Sequence, residues 1–295
     1  MKDAAELTAL RAREPDLIAR GWQKRSRRPL TGADDRLLII AADHPGRGAL
    51  GVRGDAGAMA SRTELLDRLA TALSRPGVDG VLGTADLLDD LLLMGALEDR
   101  VAIGSMNRGG LQGAVFELDD RFTAYTPEAI AAQGLEGGKA LTRICLGDPG
   151  TAATLESTAA AVTSLAEHGL MAMVEPFMSV RDEAGVRNLL DPPNVMKSIQ
   201  IAAALGASSA YTWLKLPVVA DLERVLDATT LPTLLLGGDP HGDPHDTYAA
   251  WESALRLPAA HGLVVGRALL YPPDGDVAAA VDIAAELVHG GRGAA

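Results

Sequence analysis

Cysteine, aromatic residues and lysine are all scarce in this chain of 295 residues. A single cysteine, Cys145, excludes an intrachain disulfide and is typical of a protein from a reducing cytosol. Aromatic residues make up only 3% of the chain although 47% is hydrophobic, so a core must be packed from Ala, Val, Leu and Ile. Only five lysines occur, and the one at position 215 lies in an apolar stretch. That lysine is the first candidate for chemistry.

Further absences narrow the class of protein. No run of about 18 apolar residues is long enough to span a membrane, and the first residues lack the apolar core of a secretory signal. The net charge of −12 argues against a nucleic-acid partner, which needs a basic footprint, but does not exclude a small phosphorylated substrate. We expect a soluble, cytoplasmic homo-oligomer without a membrane or nucleic-acid partner. The basic stretch at residues 24–28 is interpreted as a solvated face or subunit contact.

Eight short apolar runs alternate with longer helix-like segments. The runs are continuous rather than alternating, as expected for strands buried on both faces, and they cover residues 37–42, 78–83, 101–106, 140–146, 170–176, 210–218, 233–237 and 263–268. This order predicts an α/β fold, a (β/α)8 TIM barrel over residues 37–295 with an N-terminal helical extension at 1–36. A doubly wound open sheet is the alternative, although no dinucleotide fingerprint follows the first strand. Residues 107–138 are interpreted as an inserted loop over the active-site face.

Lys215 lies within a β-prone, nearly uncharged run at residues 209–219. Burial inside a barrel strips water from an ammonium group and favours the free amine. A free amine attacks ketones and aldehydes to form a Schiff base. The alternative is a lysine at a strand end that extends its ammonium into solvent.

Active sites of such barrels lie at the carboxyl ends of the strands, where two carboxylates stand out. Asp43 follows the first strand and Glu175 ends the fifth, so both are candidates for proton transfer. The alternatives are a helix cap or loop salt bridge for Asp43 and a salt bridge to Arg143 for Glu175. His44 is expected to point away from Asp43, because neighbouring side chains of an extended strand face opposite sides.

Candidate substrate contacts follow the seventh and eighth strands. Gly237, Gly238, Gly266 and Arg267 occupy the positions where barrel enzymes commonly hold phosphate with backbone N–H groups. Glycine lets the backbone approach the anion, and a guanidinium adds paired donors. Asn107 on the third strand is a further candidate contact.

Two other polar features need an interpretation. Arg143 lies within an apolar strand, so its charge needs a buried partner, and a barrel carboxylate is the candidate. Arg143 is also a candidate contact for the substrate. Residues 239–246 contain aspartate and histidine, but Gly242 and Pro244 break the spacing that would place two histidines on one helix face. We therefore expect a polar loop there, and no metal site.

Taken together, these segments resemble the class I Schiff-base aldolase superfamily, which includes deoxyribose-phosphate, tagatose-bisphosphate and archaeal-type fructose-bisphosphate aldolases. The resemblance rests on residues 42–44, 174–176, 214–215, 237–238 and 265–267, and covers nearly the whole barrel. It implies that Lys215 forms the Schiff base and that Asp43 and Glu175 are catalytic. Pro45 interrupts the first-strand pattern, and Glu175 stands where archaeal-type enzymes carry an aromatic residue. The chain therefore resembles an uncharacterised branch.

The resemblance implies a metal-independent aldolase without a cofactor that acts on a phosphorylated keto sugar in carbohydrate or inositol catabolism. Candidate substrates are 2-deoxy-5-keto-gluconate 6-phosphate and a ketose bisphosphate. Three alternatives stay open: a Schiff-base transferase or isomerase on the same barrel, a metal-dependent aldolase using residues 239–246, and a non-catalytic protein that binds sugar phosphates.

Overall fold

The computed structural model describes residues 2–107, 110–183, 185–238 and 242–290. Eight parallel strands close into a barrel, because the β4–β5 pairing joins the two ends of their sheet. They are β1 (Leu37–Ala41), β2 (Gly80–Gly83), β3 (Val101–Ser105), β4 (Gly137–Ile144), β5 (Met171–Asp182), β7 (Thr212–Pro217), β8 (Thr233–Leu236) and β9 (Ala260–Val265). The expected (β/α)8 barrel is thus confirmed.

Helices surround the barrel and precede it. They are α1 (Ala4–Arg13), α2 (Asp16–Lys24), α3 (Arg62–Leu73), α4 (Ala85–Leu93), α5 (Pro127–Gln133), α6 (Gly150–Glu167), α7 (Pro192–Ala203), α8 (Leu222–Leu226), α9 (Pro244–Ala254), α10 (Arg267–Leu270) and α11 (Val277–His289). Caps set their starts: Thr126 accepts a hydrogen bond from the Ala129 amide, and Pro127 occupies the first turn of α5. Within the described ranges, no helix combines the length and apolarity needed to cross a membrane.

The core has two layers that follow from strand alternation. In β1, Leu37, Ile39 and Ala41 face the barrel interior, whereas Leu38 and Ile40 pack beneath the helices. The interior cluster is completed by Leu82, Val101, Ile103, Met171, Met173, Leu234 and Val264. Two residues beyond the last interior side chain of a strand, the next side chain on the same face therefore reaches the mouth of the barrel.

The basic stretch at residues 24–28 binds the bottom of the barrel. Arg25 is buried and donates to Glu136, which also accepts from Arg27, while Arg28 pairs with Asp79. The interpretation of this stretch as a solvated face holds for the exposed Lys24 and Arg27 but not for the buried Arg25, and a subunit contact stays a prediction. Its arginines meet carboxylates that stand just before β4 and β2, a long-range pairing that charge pattern alone does not reveal.

Strand boundaries differ from the prediction in ways that bear on the site. β4 begins at Gly137, so residues 107–138 include α5 and the start of a barrel strand rather than one inserted loop. β5 continues beyond the barrel and pairs antiparallel with β6 (Gly185–Asn188), a hairpin that the sequence did not indicate. β9 ends at Val265, so Arg267 opens α10 instead of ending a strand.

Candidate active site

Glu175 is shared between two buried lysines at the mouth of the barrel. Its Oε1 lies 3.1 Å from Nζ of Lys215, and its Oε2 lies 2.6 Å from Nζ of Lys139. Val174 on β5 is in register with Leu214 on β7, which makes the next residues, Glu175 and Lys215, neighbours across the strands. The structure therefore brings two of the predicted catalytic residues into direct contact.

Asp43 joins the same network from the end of β1. Its Oδ2 lies 3.1 Å from Nζ of Lys139 and accepts a hydrogen bond from Ser105 Oγ at 3.0 Å. Side chains of Asp43, Lys139 and Lys215 are no more than 4% exposed. Two carboxylates and two lysines thus lie together out of water, and their opposite charges make this burial possible.

The charge state of Glu175 follows from its neighbours. Burial by itself would raise the pKa of this carboxyl, but the ammonium groups of Lys139 and Lys215 outweigh burial and lower it to about 2. Glu175 is therefore an anion at neutral pH, and each of its oxygens faces an amine. The carboxylate thus contacts both amines, and Lys139 holds it beside Lys215.

A cavity of about 600 Å³ opens above this network, a size typical of small-molecule sites. Lys215 and Glu175 line its floor, and Gly237, Gly238, Gly266 and Arg267 line one wall with Arg47. Gly266 has to be glycine, because a Cβ there would lie 2.1 Å from the carbonyl oxygen of Ala41. The four predicted phosphate contacts thus lie on the same cavity as the Schiff-base candidate.

Asn107 and Arg143 have structural partners and lie outside the cavity lining. Asn107 is fully buried and links β3 to β4 by donating to Leu141 O at 2.5 Å and accepting from the Leu141 amide. Arg143 pairs with Glu117 at 2.9 Å and with Asp120 at 3.4 Å. The proposed pairing of Arg143 with a barrel carboxylate was wrong, because the segment between β3 and α5 supplies its partners. A substrate contact by either residue stays an untested prediction.

The polar segment at residues 239–246 lies partly outside the described residues, which omit 239–241. In its described part, Asp243 caps α9 by accepting from the His245 amide, and the His245 ring packs against Tyr248. Within the described ranges no three metal-ligating side chains converge.

Lys139 is the main site residue that the sequence reasoning missed. It stands directly before the fourth apolar run at residues 140–146, so the predicted strand leaves it out. The scarcity of lysine that singled out Lys215 applies equally to Lys139, and the two glycines before it can form part of a buried strand. Extending the fourth strand by three residues would have pointed its side chain into the barrel.

Comparison with solved structures supports the fold. The chain is 20% identical to a Schiff base-forming fructose-1,6-bisphosphate aldolase, with a TM-score of 0.63 and coverage of 92% of this chain and 100% of that one. It is 19% identical to an archaeal fructose-1,6-bisphosphate aldolase, with a TM-score of 0.65 and coverage of 92% and 99%. These similarities confirm the barrel fold expected from the resemblance. A search of curated proteins found no match.

A much nearer relative is the crystal structure of Cgl0159 from Corynebacterium glutamicum. The two chains are 56% identical, each is covered to 96%, and the TM-score is 0.94. The family model described as Cgl0159-like matches residues 35–285, which contain the barrel and every member of the Lys139–Glu175–Lys215 network. The chain therefore belongs to the Cgl0159-like family.

Proposed function

We propose that this protein is a class I aldolase, a lyase in which Lys215 forms a Schiff base with a phosphorylated keto sugar before a carbon–carbon bond is broken or made. The observation that carries this proposal is the 3.1 Å contact between Lys215 Nζ and Glu175 Oε1 on the cavity floor. A buried amine with a carboxylate within hydrogen-bond reach is the combination that imine formation requires.

Imine formation begins with the loss of a proton from the Lys215 ammonium. Oε1 of Glu175 accepts that proton, and the free amine adds to the substrate carbonyl to form a carbinolamine. Once Lys215 is neutral, one of the two ammonium groups that lower the pKa of Glu175 is gone. The protonated carboxyl then donates its proton to the carbinolamine hydroxyl, which leaves as water. The product is a protonated imine on Lys215 and an ionised Glu175.

Lys139 has a positioning role in this scheme. Its Nζ contacts Asp43 and Glu175 at once, so it fixes the two carboxylates relative to each other. With Oε2 held by Lys139, only Oε1 of Glu175 is directed at Lys215. This division keeps the proton acceptor beside the nucleophile throughout the reaction.

Bond cleavage uses the protonated imine as an electron sink. The bond between the carbon next to the imine and the hydroxyl-bearing carbon beyond it breaks, and its electron pair moves toward nitrogen to give an enamine and an aldehyde. Protonation of the enamine carbon and hydrolysis then release the second product and restore Lys215. In the reverse direction the same steps form the bond.

The wall of the cavity is suited to the phosphate of such a substrate. Backbone amides at Gly237, Gly238 and Gly266 and the guanidinium of Arg267 offer donors for a phosphate. Binding energy from the phosphate then orients the distant carbonyl against Lys215. The substrate candidates are 2-deoxy-5-keto-gluconate 6-phosphate and a ketose bisphosphate, which would place the enzyme in inositol or carbohydrate catabolism.

The structures with the same barrel add support. One is titled as a Schiff base-forming aldolase, and another as an archaeal aldolase whose catalytic Lys is covalently bound to the carbinolamine intermediate. Lys215 is the lysine of this chain that stands inside the cavity with an acceptor beside it. A transferase or isomerase would use the same imine, so product analysis distinguishes these reactions.

Borohydride trapping tests the proposal. The protein is incubated with dihydroxyacetone phosphate or 2-deoxy-5-keto-gluconate 6-phosphate, reduced, digested and mapped by mass spectrometry. We expect a stable adduct on Lys215, none in Lys215→Met, and an unchanged yield in Lys197→Met, which removes an exposed lysine of α7. Absence of an adduct on Lys215 with both ketones, or equal cleavage activity in Lys215→Met, would overturn the proposal.

A further inference from the structure

His44 reaches the cavity from the end of β1. The strand stops at Ala41, and the chain turns at Asp43 into a short 3-10 helix spanning His44–Arg47. The expectation that His44 points away from Asp43 was wrong, because it assumed an extended backbone that the turn replaces. The imidazole lines the cavity together with Lys215 and Glu175, and 23% of its side chain remains exposed.

One nitrogen of this imidazole is buried without a hydrogen-bond partner in the part of the chain that the structure describes. It is Nδ1, which lies 4.0 Å from Oδ1 of Asp43. The other oxygen of Asp43, Oδ2, is occupied by Ser105 and Lys139. A ring movement of about 1 Å would bring Nδ1–H within hydrogen-bond distance of Oδ1. The arrangement is that of an imidazole oriented by a carboxylate.

The proposed reaction leaves one proton without an acceptor. Cleavage requires a base for the hydroxyl on the carbon that becomes the aldehyde. Both oxygens of Glu175 face amines, and Asp43 is tied to Lys139 and Ser105. Two further proton-accepting side chains line the cavity among the described residues, those of His44 and Asp246. Asp246 is exposed on α9, whereas His44 adjoins Asp43 and the buried network.

The imidazole of His44 is uncharged, as a proton acceptor must be. Burial lowers the pKa of its imidazole to about 3, a shift that Asp43 opposes and the cations of Arg267, Lys215 and Lys139 reinforce. The ring is therefore neutral at pH 7 and has a lone pair available. A phosphate dianion bound beside Arg267 would offset that guanidinium and make the imidazole more basic in the complex.

We propose that His44 is a catalytic residue that accepts the proton of the substrate hydroxyl during bond cleavage and returns it during bond formation, with Asp43 orienting the ring. The inference rests on the proposed function, since it supplies a base to the same imine reaction. The neutral tautomer that carries its proton on Nδ1 points N–H toward Asp43 and leaves Nε2 as the acceptor.

The step balances without any further reactant. The substrate O–H bond breaks and its proton moves to Nε2, while the oxygen lone pair forms the aldehyde carbonyl. The electron pair of the broken carbon–carbon bond becomes the carbon–carbon double bond of the enamine. The electron pair of the carbon–nitrogen double bond passes to the iminium nitrogen, which becomes neutral. After the aldehyde departs, the imidazolium releases its proton to water. The enamine carbon takes up one proton separately, so the overall proton count is unchanged.

Two partial reactions separate this role from that of Lys215. Exchange of carbon-bound hydrogen of dihydroxyacetone phosphate with deuterium oxide requires the imine and enamine but no hydroxyl proton transfer. Cleavage requires the imine and enamine and also the transfer of the hydroxyl proton. His44→Gln keeps a polar side chain of similar reach and removes the imidazole base. His168→Gln, at the exposed end of α6, is the matched control.

For His44→Gln we expect unchanged borohydride trapping on Lys215 and hydrogen exchange within about threefold of the unmodified protein. Cleavage is measured with whichever ketose phosphate of a panel the unmodified protein cleaves fastest. We expect this cleavage rate to fall by about 10²–10⁴-fold, the usual contribution of a general base. His168→Gln should show unchanged trapping, hydrogen exchange and cleavage. Unchanged cleavage in His44→Gln would overturn the proposal, as would an equal loss of exchange and cleavage. Absence of trapping in the unmodified protein would instead refute the proposed function.

Discussion

The Nζ atom of Lys139 lies 2.6 Å from Oε2 of Glu175, the carboxylate oxygen that faces away from Lys215. The contact joins neighbouring strands β4 and β5, and Lys139 continues the chain of contacts to Asp43, which follows β1. Because positive and negative groups alternate along this chain, no member can be removed without leaving a buried charge poorly compensated. Stability and chemistry are therefore coupled at this site.

Replacement of Glu175 by glutamine tests the proton acceptor. An amide of nearly the same shape cannot take the proton of Lys215, so we expect the cleavage rate to fall by about 10²–10⁴-fold. Borohydride trapping should become slower for the same reason. Steady-state kinetics and trapping time courses measure both effects. Glu156→Gln, on the exposed face of α6, should behave as the unmodified protein, and a Glu175→Gln enzyme with normal trapping rates would contradict the assignment.

Lys139→Met tests the link between the two carboxylates. Methionine has a similar length but no charge, so Asp43 and Glu175 lose their shared cation in a buried setting. We expect the free energy of unfolding to fall by about 3–5 kcal/mol, as for other broken buried ion pairs. Urea titration followed by circular dichroism measures this change, with Lys197→Met as the surface control. A loss no greater than that of the control would show that Lys139 does not hold the network together.

Much of this site follows from strand alternation. Met173 faces the barrel interior, so Glu175, two residues later, reaches the mouth, and Lys215 bears the same relation to Trp213. Carboxyl ends of parallel strands converge, so the sequence sufficed to place both residues, with Asp43, around one opening.

Other features depend on contacts that no local pattern encodes. The orientation of His44 depends on where β1 stops, because the backbone leaves the extended conformation at Asp43 and the alternation of side-chain directions no longer applies. The partners of Arg143 lie at Glu117 and Asp120, in an irregular segment without periodicity. Such pairings depend on how the segment packs against the barrel, which only the three-dimensional structure gives.

Arg143→Gln tests whether this arginine anchors the segment between β3 and α5. Arg143 donates to the Glu117 side chain and backbone carbonyl, and the carboxylates of Glu117 and Asp120 in turn accept from the amides of Gly113 and Gly110. Without the guanidinium we expect hydrogen exchange at these two amides to accelerate at least tenfold. Exchange in the barrel strands should change little. Mass spectrometry of peptic peptides measures both regions, and unchanged exchange at Gly110 and Gly113 would exclude an anchoring role.

The end of the described chain contains a second, partly buried charge cluster, at the bottom of the barrel. His289 at the end of α11 contacts Asp34 Oδ2 through Nδ1 at 2.6 Å and Asp79 Oδ2 through Nε2 at 3.2 Å. Hydrogen bonding to Asp79 raises the pKa of His289 to about 9, against the opposing effect of burial and with further help from Asp34. The imidazolium thus ties α11 to residues that precede β1 and β2.

The ion pairs of His289 with Asp34 and Asp79 predict a loss of stability in mild alkali. The unfolded-state pKa of histidine is near 6.5, so the stabilisation by His289 is complete below about pH 6.5 and is lost as pH rises through about 9. Allowing for the screening of this partly exposed group, we expect a contribution of about 1–2 kcal/mol. Urea unfolding of the unmodified protein and of His289→Gln should therefore differ most at pH 6 and converge by pH 10. A difference that stays constant across this range would mean that His289 stabilises the fold by packing rather than by its charge.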